Sequence, residues 1–95
     1  MNMKESYQQK LQAQLDQWNA DIDKLKAKAD KVDADIKLEY YEQIEDLRVK
    51  QQAARDSLAN LMSASDDAWE DLKAGVESAW FTLGEAIERA ATRFK

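Results

Sequence analysis

Residues 68–94 read AWEDLKAGVESAWFTLGEAIERAATRF. Ala68-Trp69 is followed eleven residues later by Ala79-Trp80, and eleven later again by Ala90-Ala91. Leu72, Leu83 and Phe94 keep the same step, as do Val76 and Ile87. Eleven residues make three turns of about 3.67 residues, so the repeat keeps one apolar stripe pointing one way along a helix.

Extended outward, the stripe covers most of the chain. It runs through Tyr7, Leu11, Leu15, Trp18, Ile22, Leu25, Ala29, Val32, Ile36, Tyr40, Ile44 and Leu47. It continues through Gln51, Ala54, Leu58, Leu61, Ser65, Ala68, Leu72, Val76, Trp80, Leu83, Ile87, Ala90 and Phe94. Every step is three or four residues, which is helical spacing. From 7 to 94 there are 24 steps, about 3.6 residues each, close to the period of a straight α-helix. Leu15 to Ile36 is a strict heptad, and paired four-residue steps elsewhere relax left-handed supercoiling.

Composition agrees. The 95 residues include no Pro and two Gly, so the punctuation that β-turns need is nearly missing. Charged residues make up 35%, the profile of long helices or a coiled coil. The spacing predicts one all-α domain over 1–95: helix 1 over about 3–62, a turn at 62–66, and helix 2 over about 66–94. Asn2 and Glu5 form the start signal. Asn60, Ser63 and Ser65 are weak helix formers, and Ser65 before Asp66 and Asp67 reads as a new N-cap. Arg89, Arg93 and Lys95 suit the negative end of the last helix. Gly75 and Gly84, inside helix 2, suggest close packing.

Function classes narrow by residue type. No Cys is present, hence no disulfide, thiol nucleophile or thiolate site. No His is present, which removes the usual acid–base group near neutral pH and the commonest metal ligand. Asp66, Asp67, Glu70 and Asp71 cluster without a calcium-loop pattern and read as capping acids. Glu39, Glu42, Glu45 and Asp46 lack the Glu-x-x-His of bundle metal sites and read as a solvated face. No Gly-rich phosphate loop occurs. No cofactor and no enzymatic activity are expected. The net charge is −5, which makes nucleic acid a poor partner. The polar amino-terminal stretch, and the lack of any apolar run near the ~20 residues that span a bilayer, predict a soluble, cytoplasmic protein.

The stretches YQQKLQAQLDQWNADIDKLKAKADK, YYEQIEDLRVKQ and SDDAWEDLKAGVESAW resemble a group of small bacterial coiled-coil proteins, some labelled as stress-response proteins. The resemblance implies a bacterial helical protein and supplies no catalytic residues. The eleven-residue repeat is also similar to the lipid-binding helices of exchangeable apolipoproteins, although those usually carry cations along the interface edges and this segment is acidic.

The primary expectation is a structural or protein-interaction protein that self-associates, with itself or another helical protein as partner. Its core or oligomer interface would comprise Leu11, Leu15, Trp18, Ile22, Leu25, Val32, Ile36, Tyr40, Ile44, Leu47, Leu58, Leu61, Trp69, Leu72, Val76, Trp80, Leu83, Ile87 and Phe94. The alternative is a lipid-surface protein using residues 66–95 as an interfacial helix. A short second helix cannot cover the whole stripe of a 60-residue first one. This favours an antiparallel homodimer, a rod of ~90 Å at 1.5 Å per residue with a two-fold axis near residues 32 and 33, over the alternatives of a parallel dimer, a simple hairpin dimer or a four-helix tetramer. Leu38, Val49 and Phe81 fall off the stripe and suggest contact with a second neighbour.

Overall fold

The computed structural model describes residues 3–94. The fold is all-α: α1 spans Met3–Ala29, α2 spans Ala34–Met62 and α3 spans Asp66–Arg93, with no strand among the described residues. The molecule measures 51 × 21 × 17 Å. Asn2 and Lys95, read above as helix-end signals, lie outside the described residues.

The expected 3–62 helix is interrupted. At Asp30–Asp33 the chain reverses, and Asp33 takes the N-cap position of α2 with φ −62° and ψ 149°, its side chain making no capping hydrogen bond. The last turn of α1 tightens, with the Lys31 and Val32 N–H groups donating to Lys28 O and Ala29 O. The charge pattern favours this stop. Lys26 and Lys28 lie in the last turn of α1 and Asp35 in the first turn of α2, each suited to its end of a helix dipole.

For a single chain, energetics explain why folding back wins over a straight helix. A straight helix would gain about four backbone hydrogen bonds, worth roughly 2–6 kcal/mol net. The hairpin instead buries Leu11, Leu15, Ile22 and Leu25 within the same chain. Burying four large aliphatic side chains is worth roughly 6–12 kcal/mol.

The second reversal, Ser63–Ser65, lies inside the 62–66 interval. Ser65 is extended at φ −67° and ψ 162°, although its side chain makes no capping hydrogen bond. Neither turn uses a left-handed residue, since no described residue has positive φ. The order is up-down-up: α1 and α3 run parallel, as Tyr7–Trp69 and Trp18–Trp80 contacts require, and α2 is antiparallel to both.

This overturns the geometric premise for the ~90 Å rod. Residues 3–29 are not left bare, because α2 and α3 of the same chain cover them. Of the nineteen stripe residues named as interface, fourteen are buried inside the single-chain bundle. Trp18, Val32 and Tyr40 are half-buried. Ile36 and Leu72 are 41% and 39% exposed, one at the first turn of α2 and one on the flank of α3.

Candidate interaction surfaces

Three aromatic pairs hold α3 in place. Near the amino-terminal end of the bundle, Tyr7 meets Trp69 edge-on at 5.5 Å, with the Lys73 ammonium over both rings. The Tyr7 hydroxyl donates to Glu77 at 3.4 Å. Burial, then the Glu77 carboxylate, pushes the Tyr7 phenol above its usual range. In the middle, Trp18 and Trp80 pack at 6.2 Å. At the far end, Tyr40 stacks on Phe94 at 4.2 Å and donates to the Arg93 carbonyl.

Gly84 is the notch that admits Trp18: a methyl group there would sit 3.0 Å from Trp18 Cζ2. Gly75 faces open space, with nothing within 4 Å, so the close-packing expectation is met at only one of the two glycines. The indole N–H groups of Trp69 and Trp80 are buried without an acceptor. Each such group costs roughly 1–3 kcal/mol, which ring burial offsets.

Gln51 occupies a stripe position and is buried. Its amide N–H donates to Asn19 Oδ1 at 3.0 Å. Arg48 donates to the same Asn19 oxygen, to Gln51 Oε1, and to Asp23 at 2.6 Å. This network crosses from α1 to α2 and fixes their register. A polar residue at a core position was its only sequence signal.

Around the first turn, Tyr41 and Lys26 both donate to Asp30, and the Lys26 ammonium lies over the Tyr41 ring. The Tyr41 hydrogen bond, with Lys26 second, holds the Asp30 carboxyl below its usual range, and the same bond pushes Tyr41 up. Lys4 does the same for Asp66 through a 2.5 Å ion pair that ties the start of α1 to the start of α3. Asp66 is thus engaged with a lysine. Among the described residues no cluster of acids is arranged to hold a metal ion. The i,i+4 pairs Lys26–Asp30, Lys50–Asp46 and Arg89–Glu85 brace the solvated faces.

Two open grooves flank α2. One of about 530 Å³ lies against α3 beside Lys50, Arg89 and Arg93, and one of about 250 Å³ lies against α1. The cations Lys50 and Arg89 are already paired with Asp46 and Glu85.

The off-stripe apolar residues remain outside. Leu38 is 67% exposed, Val49 60% and Phe81 71%. At 100° per residue, Leu38 and Val49 lie on the face of α2 opposite Ile44, Leu47 and Gln51, with Glu42 and Glu45 between them. No described helix is long and apolar enough to cross a membrane. Fold and surface together define the chain as an all-α three-helix bundle. Comparison with protein-family models, curated proteins and solved structures gives no match.

Proposed function

We propose that this chain is a non-catalytic helical association protein, whose partner is a second copy of itself or another helical protein. The observation that carries this reading is the outward face of α2. Leu38 and Val49 are large, solvent-exposed and on one helical face, eleven residues apart, with carboxylates between them. Such a face suits a helix with matching apolar spacing and cations opposite Glu42 and Glu45. A bacterial, cytoplasmic setting and a stress-related role belong to the same proposal and rest on the resemblance of the three stretches quoted above.

A photo-crosslinking amino acid at residue 42 tests it. In the host cell a discrete protein adduct is expected from that position and none from residue 13. Leu38→Glu with Val49→Glu should abolish the adduct while leaving helicity unchanged. Adducts that are diffuse, or insensitive to those substitutions, would refute the assignment of this face.

One observation favours the lipid-surface alternative. Trp69 and Trp80 carry indole N–H groups unpaired inside the bundle, and a lipid–water interface supplies acceptors. α3 would have to leave the bundle to use them. Tryptophan emission unchanged by anionic and zwitterionic vesicles, with no co-sedimentation, removes this alternative.

A further inference from the structure

The apolar phase does not notice the first turn. The steps Leu25, Ala29, Val32, Ile36, Tyr40 continue at four, three, four and four residues, although the chain reverses between Ala29 and Ala34. A turn that selection needed only as a stop could carry any phase. Here the same residues would present one unbroken stripe if the turn were straightened.

The backbone change required includes a large rotation of ψ at Asp33. Every φ in the turn is already negative. Asp33 is the cap, and its ψ of 149° would move to the helical value near −42°. The i→i−3 bonds of Lys31 and Val32 would become ordinary helical ones. No Gly or Pro stands in the way.

The stripe is also incompletely covered at this place. Val32 is half-buried and Ile36 is 41% exposed, whereas Ile22, Leu25 and Ala29 just before them are buried. A second copy of the chain would cover them. Contacts between α1 and α2 pair Asn19 with Gln51, Asp23 with Arg48, and Asp30 with Tyr41, so each pair is centred on residue 35 or between 35 and 36. Two straightened chains crossing antiparallel in that register place their two-fold axis beside Ile36.

We propose that Asp30–Asp33 is a hinge, and that this protein dimerises by exchanging α1: the helix leaves its own α2 and α3 and docks on those of a second copy. Each half of the dimer regenerates the Trp18–Trp80 pair, the Trp18–Gly84 fit and the Asn19–Gln51 network in trans. Because exchange restores the same contacts, the balance between monomer and dimer is set by the hinge and by concentration. This inference shares with the association reading above only the choice of a second copy as partner: exchange uses the inward face of α1 and leaves the Leu38–Val49 face of α2 free.

Three measurements test it on the full chain. The first is light scattering after refolding from denaturant at millimolar and at low micromolar concentration. A dimer of twice 10.9 kDa is expected at the high concentration. The second mixes two singly substituted chains, Lys4→Cys and Asp66→Cys, before refolding, and adds a short bis-maleimide. Those positions touch across α1 and α3. A crosslink between the two different chains is expected, because exchange places residue 4 of one beside residue 66 of the other. The third is Ala34→Pro. Position 34 is the first residue of α2, where Pro fits the closed turn and the extended Asp33 before it. The same Pro breaks a straight helix. It should remove the dimer and the mixed crosslink while keeping monomer helicity. If Ala34→Pro does not fold, the mixed crosslink with an unaltered hinge still decides. A monomer at both concentrations would overturn the proposal. A dimer that lacks the mixed crosslink, or that survives Ala34→Pro, would overturn exchange while leaving association through another surface intact.

Discussion

Gly75 and Gly84 lie nine residues apart inside α3, and replacing each by Ala separates helix propensity from packing. The propensity term is common to both: Ala is favoured over Gly by about 1 kcal/mol in a helix interior. At Gly75 nothing opposes it, because the added methyl meets open space. Gly75→Ala should therefore stabilise by about 1 kcal/mol, a rise in melting temperature of roughly 4–8 °C for a domain of this size. At Gly84 the methyl would lie 3.0 Å from Trp18 Cζ2 and 3.6 Å from Cη2, and the indole must give way. Overpacking costs about 1–3 kcal/mol, so Gly84→Ala should range from neutral to about 2 kcal/mol destabilising. Circular dichroism melts and urea midpoints of the two variants supply the comparison. A third variant identifies the cause: in a Trp18→Ala background, Gly84→Ala should become as favourable as Gly75→Ala. Equal stabilisation by the two glycine replacements in the intact chain would show that Trp18 does not occupy the notch.

Trp80→Ala should cost about 3–5 kcal/mol in the urea midpoint, as for a buried aromatic side chain, and Gln14→Ala, at an exposed position of α1, under about 0.5 kcal/mol; similar costs would mean that the buried face is misassigned. Asn19→Ala and Gln51→Ala should be coupled by about 0.5–3 kcal/mol in a double-mutant cycle, since each loses the same hydrogen bond; additive costs would dissolve the network. Asp30 and Asp66 have lowered carboxyl pKa values in the fold, so their stabilising effect is present above the unfolded value of 3.8 and fades as pH falls through the folded values. Acid melts should lose that stability, and Asp66→Asn should flatten the acid limb. Tyr7 has the opposite linkage: its raised pKa stabilises below pH 10.0 and is lost as pH rises through the folded value, so Tyr7→Phe should flatten the alkaline limb.

Helical class was legible because the stripe never leaves three- and four-residue steps. The second reversal was legible because Ser65, Asp66 and Asp67 combine a cap with acids at a helix start. The first was hidden, since Val32 and Ile36 keep the phase that an unbroken helix would have. Its trace was the switch from Lys26 and Lys28 to Asp33 and Asp35, the same signal in lysine and aspartate rather than serine and aspartate. That one hidden turn changed the inferred partner of α1 from a second chain to its own. Leu38, Val49 and Phe81 were legible as surface residues because they leave the stripe. The network at Gln51 was not, since a periodicity count treats a glutamine in the stripe as another step and cannot see Asn19 and Arg48 arriving from across the bundle.

The unpaired indole N–H groups have a consequence in the time domain. A proton with no acceptor and no path to water exchanges only when the structure around it opens. Trp80 sits at the middle of α3 against Trp18, and Trp69 sits in the aromatic pair at the amino-terminal end of the bundle. The two protons therefore keep separate clocks. The Trp69 proton should exchange with deuterium at the rate of end fraying. The Trp80 proton should wait for α1 to separate from α3.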